Sequence, residues 1–164
     1  MLKTVYIDTS VICHLTDPPS NNSIKRGCQE LTQLWWKTRC VPELTYISDV
    51  VLEEIKAGDP ALFERRMEIV EQLVYFRPEE DVQIFAELLI LGGGLKAKSR
   101  KPAEHVASAA LHHFHFLMTW NCVDIANAQN FEVLRKLMML KDLELPELVT
   151  PFALMENSYE DIQY

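Results

Sequence analysis

Short apolar runs alternate with amphipathic stretches along this chain. Thr4, Val5, Tyr6 and Ile7 are β-branched or aromatic and contiguous, the pattern of a strand buried on both faces within a parallel sheet. Val41 to Ile47 reads as a second strand, with Pro42 near its start. Leu73–Phe76, Phe116–Thr119 and Leu148–Pro151 read as three more. Between them lie helical patterns. Val11–Leu15 is short and is broken by Asp17-Pro18-Pro19. Asn21 and Asn22 can cap a helix reaching about Thr38, and Ser48 with Asp49 a helix over Val50–Ala57 that stops at Gly58. Asp59-Pro60 opens a helix over about Ala61–Gln72. Pro78-Glu79-Glu80-Asp81 opens the next, its acids suiting the positive end of the helix dipole, and Gly92-Gly93-Gly94 ends it. Pro102 suits the first position of a helix running to about His113, with Ala103, Val106, Ala107, Ala110 and Phe114 on one face. Phe131–Lys141 is the last amphipathic helix. This alternation predicts an α/β domain around a central, mostly parallel sheet, over residues 1–155, with an acidic tail over 156–164.

Composition narrows the class. At 164 residues, with 48% hydrophobic and 24% charged positions, the chain suits one domain with a proper core. Four scattered cysteines with no C-x-x-C pair argue against a zinc knuckle or a disulfide framework. There is no run of transmembrane length and no signal sequence, so a reduced, cytoplasmic protein without a membrane partner is expected. The net charge of −8 speaks against a broad nucleic-acid-binding surface. It leaves room for a nuclease that reaches phosphate through bound metal and one local basic patch.

Candidate chemistry collects at predicted strand ends, where open α/β sheets bind ligands. Asp8 closes the first strand, either as a functional acid or as the N-cap of the next helix, and Thr9 and Ser10 supply hydroxyls beside it. On the helix after the second strand, Glu53 falls nearly opposite the apolar face. Glu54 falls about 70° from its centre, on the flank that meets the sheet. A carboxylate there needs a metal or a hydroxyl as partner, which makes Glu54 the second candidate. The fourth strand ends in Thr119-Trp120-Asn121, with Asp124 just beyond. Lys96, Lys98, Arg100 and Lys101 form the densest basic segment, readable as a solvated loop or as a phosphate-contacting edge. The glycine triplet lacks the spacing of a phosphate loop. His105 and His112 lie roughly 10 Å apart along a helix, too far to share an ion. Of the adjacent Trp35 and Trp36, one suits the core and the other a half-buried position or an interface.

Taken in order, Tyr6-Ile7-Asp8-Thr9-Ser10, Ser48 with Glu54-Ile55, Ala103-x-His105-Val106-Ala107-x-Ala109 and Thr119-Trp120-Asn121 resemble the PIN domains, and among them the VapC-type toxins of prokaryotic toxin–antitoxin pairs. Ile125-Ala126-Asn127 and Thr150-Pro151 match one subgroup. The resemblance spans nearly the whole chain and implies a single-domain, three-layer α/β/α PIN-like fold. It also implies a metal-dependent endoribonuclease that hydrolyses RNA phosphodiester bonds with metal-activated water. Three or four acids at the sheet edge hold Mg²⁺ or Mn²⁺ in this family, and hard ions of this kind take carboxylate oxygen while keeping several waters. By resemblance Asp8 and Glu54 are the first two acids, with Ser10 and Thr119 in support. The third family acid is replaced by Pro102, and Glu104, two helical residues on, points about 200° away. Asn121 stands in the fourth place, and Asp124 stands where the subgroup often has His. With fewer acids, Mg²⁺ should bind weakly and Mn²⁺ better. A cognate antitoxin and a homodimer are implied by the same resemblance, the dimer also by the apolar Trp35, Trp36, Met138 and Met139. The alternative is a catalytically weakened PIN domain that acts as a protein- or RNA-binding module. A haloacid-dehalogenase-type phosphatase would need Asp where Ser10 stands. A receiver domain would need paired acids near the first strand.

Overall fold

The computed structural model describes residues 3–77 and 81–155. The expected helix-opening Glu79 and Glu80 and the acidic tail over 156–164 lie outside those residues. Five strands form one sheet: β1 (Val5–Ile7), β2 (Thr45–Ser48), β3 (Val74–Phe76), β4 (Phe116–Met118) and β5 (Glu147–Val149). Their order is β3-β2-β1-β4-β5, and every neighbouring pair is parallel. Among the described residues seven α-helices connect them: α1 (Thr9–Thr16), α2 (Ser23–Thr38), α3 (Asp49–Ala57), α4 (Phe63–Val70), α5 (Val82–Leu91), α6 (Arg100–Leu111) and α7 (Phe131–Met139). With right-handed crossovers, α1 to α4 cover one face and α5 to α7 the other. Accordingly α1 packs on α2, α3 and α4, and α5 packs on α6 and α7. The winding reverses between β1 and β4, the kind of place where a crevice opens at the strands' carboxyl ends.

The centre of the sheet explains its apolar runs. Ile7, Val11, Ile12, Ile47, Val51, Leu117 and Met118 are all fully buried. Ala103, Ala107 and Ala110 let α6 lie close on this core, because small side chains keep the helix axis near the strands. Trp35 is buried and Trp36 only partly so.

Four features differ from expectation. The second strand starts at Thr45, because Pro42–Leu44 forms a 3-10 turn; proline has no N–H for a ladder but suits a first helical position. The helix expected over Ala61–Gln72 is a 3-10 turn over Pro60–Leu62 and then α4, which ends at Val70. α6 starts at Arg100, so Pro102 is its third residue. That costs no hydrogen bond, since the first N–H groups of a helix have no partner within it. Met138 is fully buried in the core and only Met139 is open to water, at 75% exposure, so the expected paired-methionine surface is half as large.

Candidate functional site

Asp8 comes directly after β1 and caps α1. Its Oδ1 accepts the backbone N–H of Ser10 at 3.0 Å and the Ser10 hydroxyl at 2.5 Å. Its Oδ2 accepts the Thr119 hydroxyl at 2.5 Å. The cap and the candidate acid are thus one residue in one geometry. The two hydroxyls are themselves held. Ser10 Oγ accepts the N–H of Trp120 at 2.8 Å, and Thr119 Oγ1 accepts the N–H of Asn121 at 2.8 Å. The segment after β4 is therefore laced to the segment after β1. Asp8 is 3% exposed, and burial lifts its pKa above the ordinary carboxylate value against the opposing hydrogen bonds of Ser10 and Thr119.

Glu54 comes from α3, on the flank of its buried Val50, Val51 and Ile55. Its side chain is 30% exposed, against 62% for Glu53, as helical geometry predicts. Oε1 of Glu54 lies 2.6 Å from His105 Nε2, and His105 Nδ1 lies 2.6 Å from the Tyr6 hydroxyl. Burial alone would raise the pKa of Glu54, but His105, Thr9 and Lys101 together outweigh it and the result is a lowered pKa.

The remaining candidates face other partners. Asn121 turns its side-chain oxygen onto the N–H of Asp124 at 3.0 Å, capping the turn whose Ile125 and Ala126 N–H groups reach its own carbonyl. It meets the Asp8 cluster through its backbone. Asp124 Oδ1 lies 3.8 Å from Lys96 Nζ. Glu104 is buried and turned toward Lys101 Nζ at 2.9 Å and Arg100 Nε at 3.5 Å. Lys101 also reaches Glu53 at 2.6 Å, and Arg100 reaches Glu87 at 3.5 Å. The basic segment is thus a loop and first helical turn with most of its charges paired; Lys98 is exposed with no ion pair among the described residues. Among the described residues no three His, Cys, Asp or Glu side chains gather where one metal ion could sit.

His105 and Tyr6 escape the sequence reading. Helical spacing excludes His105 and His112 as ligands of one ion but says nothing of a partner for His105. A signal existed: a tyrosine in mid-strand, buried on both faces, must bring a hydrogen-bond partner to its hydroxyl.

No protein-family model and no curated protein matches the chain in sequence. Solved structures do match in shape. A toxin–antitoxin complex from Klebsiella pneumoniae superposes with a TM-score of 0.56 at 18% identity, over 77% of this chain and 94% of that one. The structure of VapBC2 from Rickettsia felis bound to a DNA fragment from its promoter superposes with a TM-score of 0.50 at 13% identity, over 90% of this chain and 98% of that one. At such identities the likeness establishes the fold, and that fold is PIN-like.

Proposed function

We propose that this protein is a PIN-type, metal-dependent endoribonuclease and the toxin of a toxin–antitoxin pair. The observation that carries the reading is the acid pair. Asp8 and Glu54 come from separate crossovers to the carboxyl edge of a parallel sheet, each clamped by side chains that leave it little freedom.

The residues fit a divalent ion. Mg²⁺ typically binds through one or two carboxylates and keeps its waters, and two carboxylates are present. Among the described residues Oδ2 of Asp8 accepts a single hydrogen bond, from Thr119, and His105 takes one oxygen of the part-exposed Glu54. A bound ion would supply charge against the scissile phosphate and a nucleophilic water. The chain's own part is positional. Ser10 and Thr119 orient Asp8, the buried Asp8 carboxylate offers strongly attractive charge, and exposed Lys98 offers a contact to the RNA backbone. With an acid replaced by Pro102, Mn²⁺ is the better ion for this site, since it stands above Mg²⁺ in affinity for such ligands.

Structural neighbours include a toxin–antitoxin complex and VapBC2 bound to promoter DNA, which supports an antitoxin as partner. Exposed apolar groups support a docking surface for it or for a second copy of the chain in a homodimer: Met139 and Leu140 at the end of α7, and Ile84 and Leu91 beside an apolar groove between α5 and α7. The test is cleavage of single-stranded RNA by purified protein with Mn²⁺, with Mg²⁺ and with chelator. Mn²⁺-dependent cleavage lost in Asp8→Ala and Glu54→Gln supports the reading; cleavage unaffected by either variant overturns it.

One observation favours a second reading, a PIN domain weakened in catalysis that binds RNA or protein. The position of the third family acid is Pro102, and its helical neighbour Lys101 spends its charge bridging Glu53 and Glu104. RNA binding without cleavage under any divalent ion would select it.

A further inference from the structure

Four side chains, three of them buried, link α3 to itself through the sheet. Ser48 Oγ, at the N-cap of α3, accepts the N–H of Val50 at 3.3 Å. It lies 2.9 Å from the Tyr6 hydroxyl, which in turn meets His105 Nδ1 at 2.6 Å, and His105 Nε2 meets the part-exposed Glu54 on α3 at 2.6 Å. Tyr6 and Ser48 are fully buried and His105 is 2% exposed.

The direction of the protons comes from counting donors. The Glu54 carboxylate only accepts, so Nε2 of His105 carries a hydrogen. If Nδ1 is bare, Tyr6 donates to it, Ser48 donates to the Tyr6 oxygen, and Val50 donates to Ser48. Every hydrogen then has an acceptor. If Nδ1 also carried a hydrogen, Tyr6 would have to donate to Ser48 instead. The Ser48 hydroxyl hydrogen would then have no acceptor among the described residues, in a place closed to water, which is costly.

We propose that Tyr6 and His105 are positioning residues for Glu54: the Tyr6 hydroxyl donates to His105 Nδ1 and holds the ring in place, and the Nε2–H fixes the Glu54 carboxylate toward Asp8's edge of the sheet. The proposal rests on the reading of Glu54 as a site acid. Its interest lies in position 102. Pro102 and His105 are three residues apart on α6 and so share a helical face, and His105 is the α6 side chain hydrogen-bonded to Glu54. Tyr6 is itself pinned by ring contacts to Phe76 at 5.4 Å and Phe114 at 5.8 Å, so the chain of contacts is anchored in the core.

The test uses metal-free ¹⁵N spectra of the imidazoles and Mn²⁺ titration calorimetry on the wild type, Tyr6→Phe, His105→Gln and His105→Leu. The expected wild-type spectrum shows His105 as a single Nε2–H tautomer with a hydrogen-bonded Nδ1; Tyr6→Phe keeps the Nε2–H on Glu54 and shifts the Nδ1 resonance toward that of a free acceptor nitrogen. Losing an outer partner of a metal ligand weakens affinity about 10- to 100-fold, and that loss is expected in His105→Leu. His105→Gln, whose amide can still donate to Glu54, should stay within about threefold of wild type on the same scale. An Nδ1–H tautomer, an Nδ1 resonance unmoved by Tyr6→Phe, or equal affinity in His105→Leu and the wild type overturns the proposal. If His105→Leu does not fold, Tyr6→Phe against His105→Gln still decides. A wild type that binds no Mn²⁺ overturns the nuclease reading instead, and the tautomer spectra then decide the positioning chain alone.

Discussion

Thr119 donates its hydroxyl to Asp8 Oδ2 at 2.5 Å, joining residues 111 positions apart in the chain. The same hydroxyl oxygen receives the N–H of Asn121, so one side chain ties the end of β4 to the acid that ends β1. Thr119→Val keeps the shape and removes both roles. A hydrogen bond to a charged group is worth about 1.5–3 kcal/mol, and with Asp8 buried that loss should show in full by urea unfolding at neutral pH. A loss within experimental error would mean that Thr119 does not stabilise the carboxylate.

Asp8→Asn should raise stability while abolishing any cleavage. Burial raises the pKa of Asp8 above its ordinary 3.8. The stability linked to this group is therefore fully present below that value and is lost as pH rises through the higher folded value. At pH 7 the buried charge opposes folding, and its removal should lift Tm by about 2–5 °C. Scanning calorimetry at pH 7 and pH 4 checks it, with the advantage shrinking in acid. A lower Tm at pH 7 would contradict the sign.

Glu54→Gln should act in the opposite direction. The pKa of Glu54 is lowered from its ordinary 4.5, so its contribution is present above that value and disappears as pH falls through the lower folded one. Partial exposure screens the effect and keeps it at about 1 kcal/mol or less. The variant should be less stable than wild type at pH 7 and equal to it in strong acid. A constant difference across the titration would assign the loss to packing instead of charge.

The fold was legible because its cues are local. Thr4 to Ile7 could only be an inner strand, and Asn22, Ser48 and Gly58 mark helix ends by their side-chain or backbone chemistry. Glu54 was legible for the same reason, since helical geometry separates it from Glu53. The errors arise where long-range contact decides. Pro42 and Pro60 open 3-10 turns that apolar pattern reads as strand or helix, and Met138 is core because of what packs above it. Tyr6 and His105 are 99 positions apart, and no spacing rule brings them together. The turning of Glu104 and Asp124 toward lysines depends equally on contacts made in three dimensions.

Pro102→Asp should strengthen Mn²⁺ binding. Position 102 lies in the first turn of α6, where an acid suits the helix dipole, one turn before His105 and on its face. An added carboxylate ligand should improve affinity by about tenfold, or about 1.4 kcal/mol. Calorimetric titration of both proteins tests this, and equal affinities would show that the position does not face the ion.

Lys98 and Lys96 should differ in RNA binding. Lys98 is exposed and without an ion pair among the described residues, whereas Lys96 faces Asp124. Lys98→Ala should weaken RNA affinity and lower the slope of log affinity against log salt by about 0.7 for one contact to a single strand. Lys96→Ala should change that slope less. Equal slopes in both variants would remove the distinction between them.

The lacing of Ser10 and Thr119 around Asp8 also sets a timetable. While the chain emerges from the ribosome, Asp8 appears early, but the hydroxyl and backbone groups that hold its partners arrive only with residues 119–121. A nascent chain that ends before β4 can carry the acid without its orientation. The orientation of Asp8 is therefore completed late in synthesis, and a truncated product that stops short of Thr119 lacks the hydroxyl that meets Oδ2 and the N–H that holds Ser10.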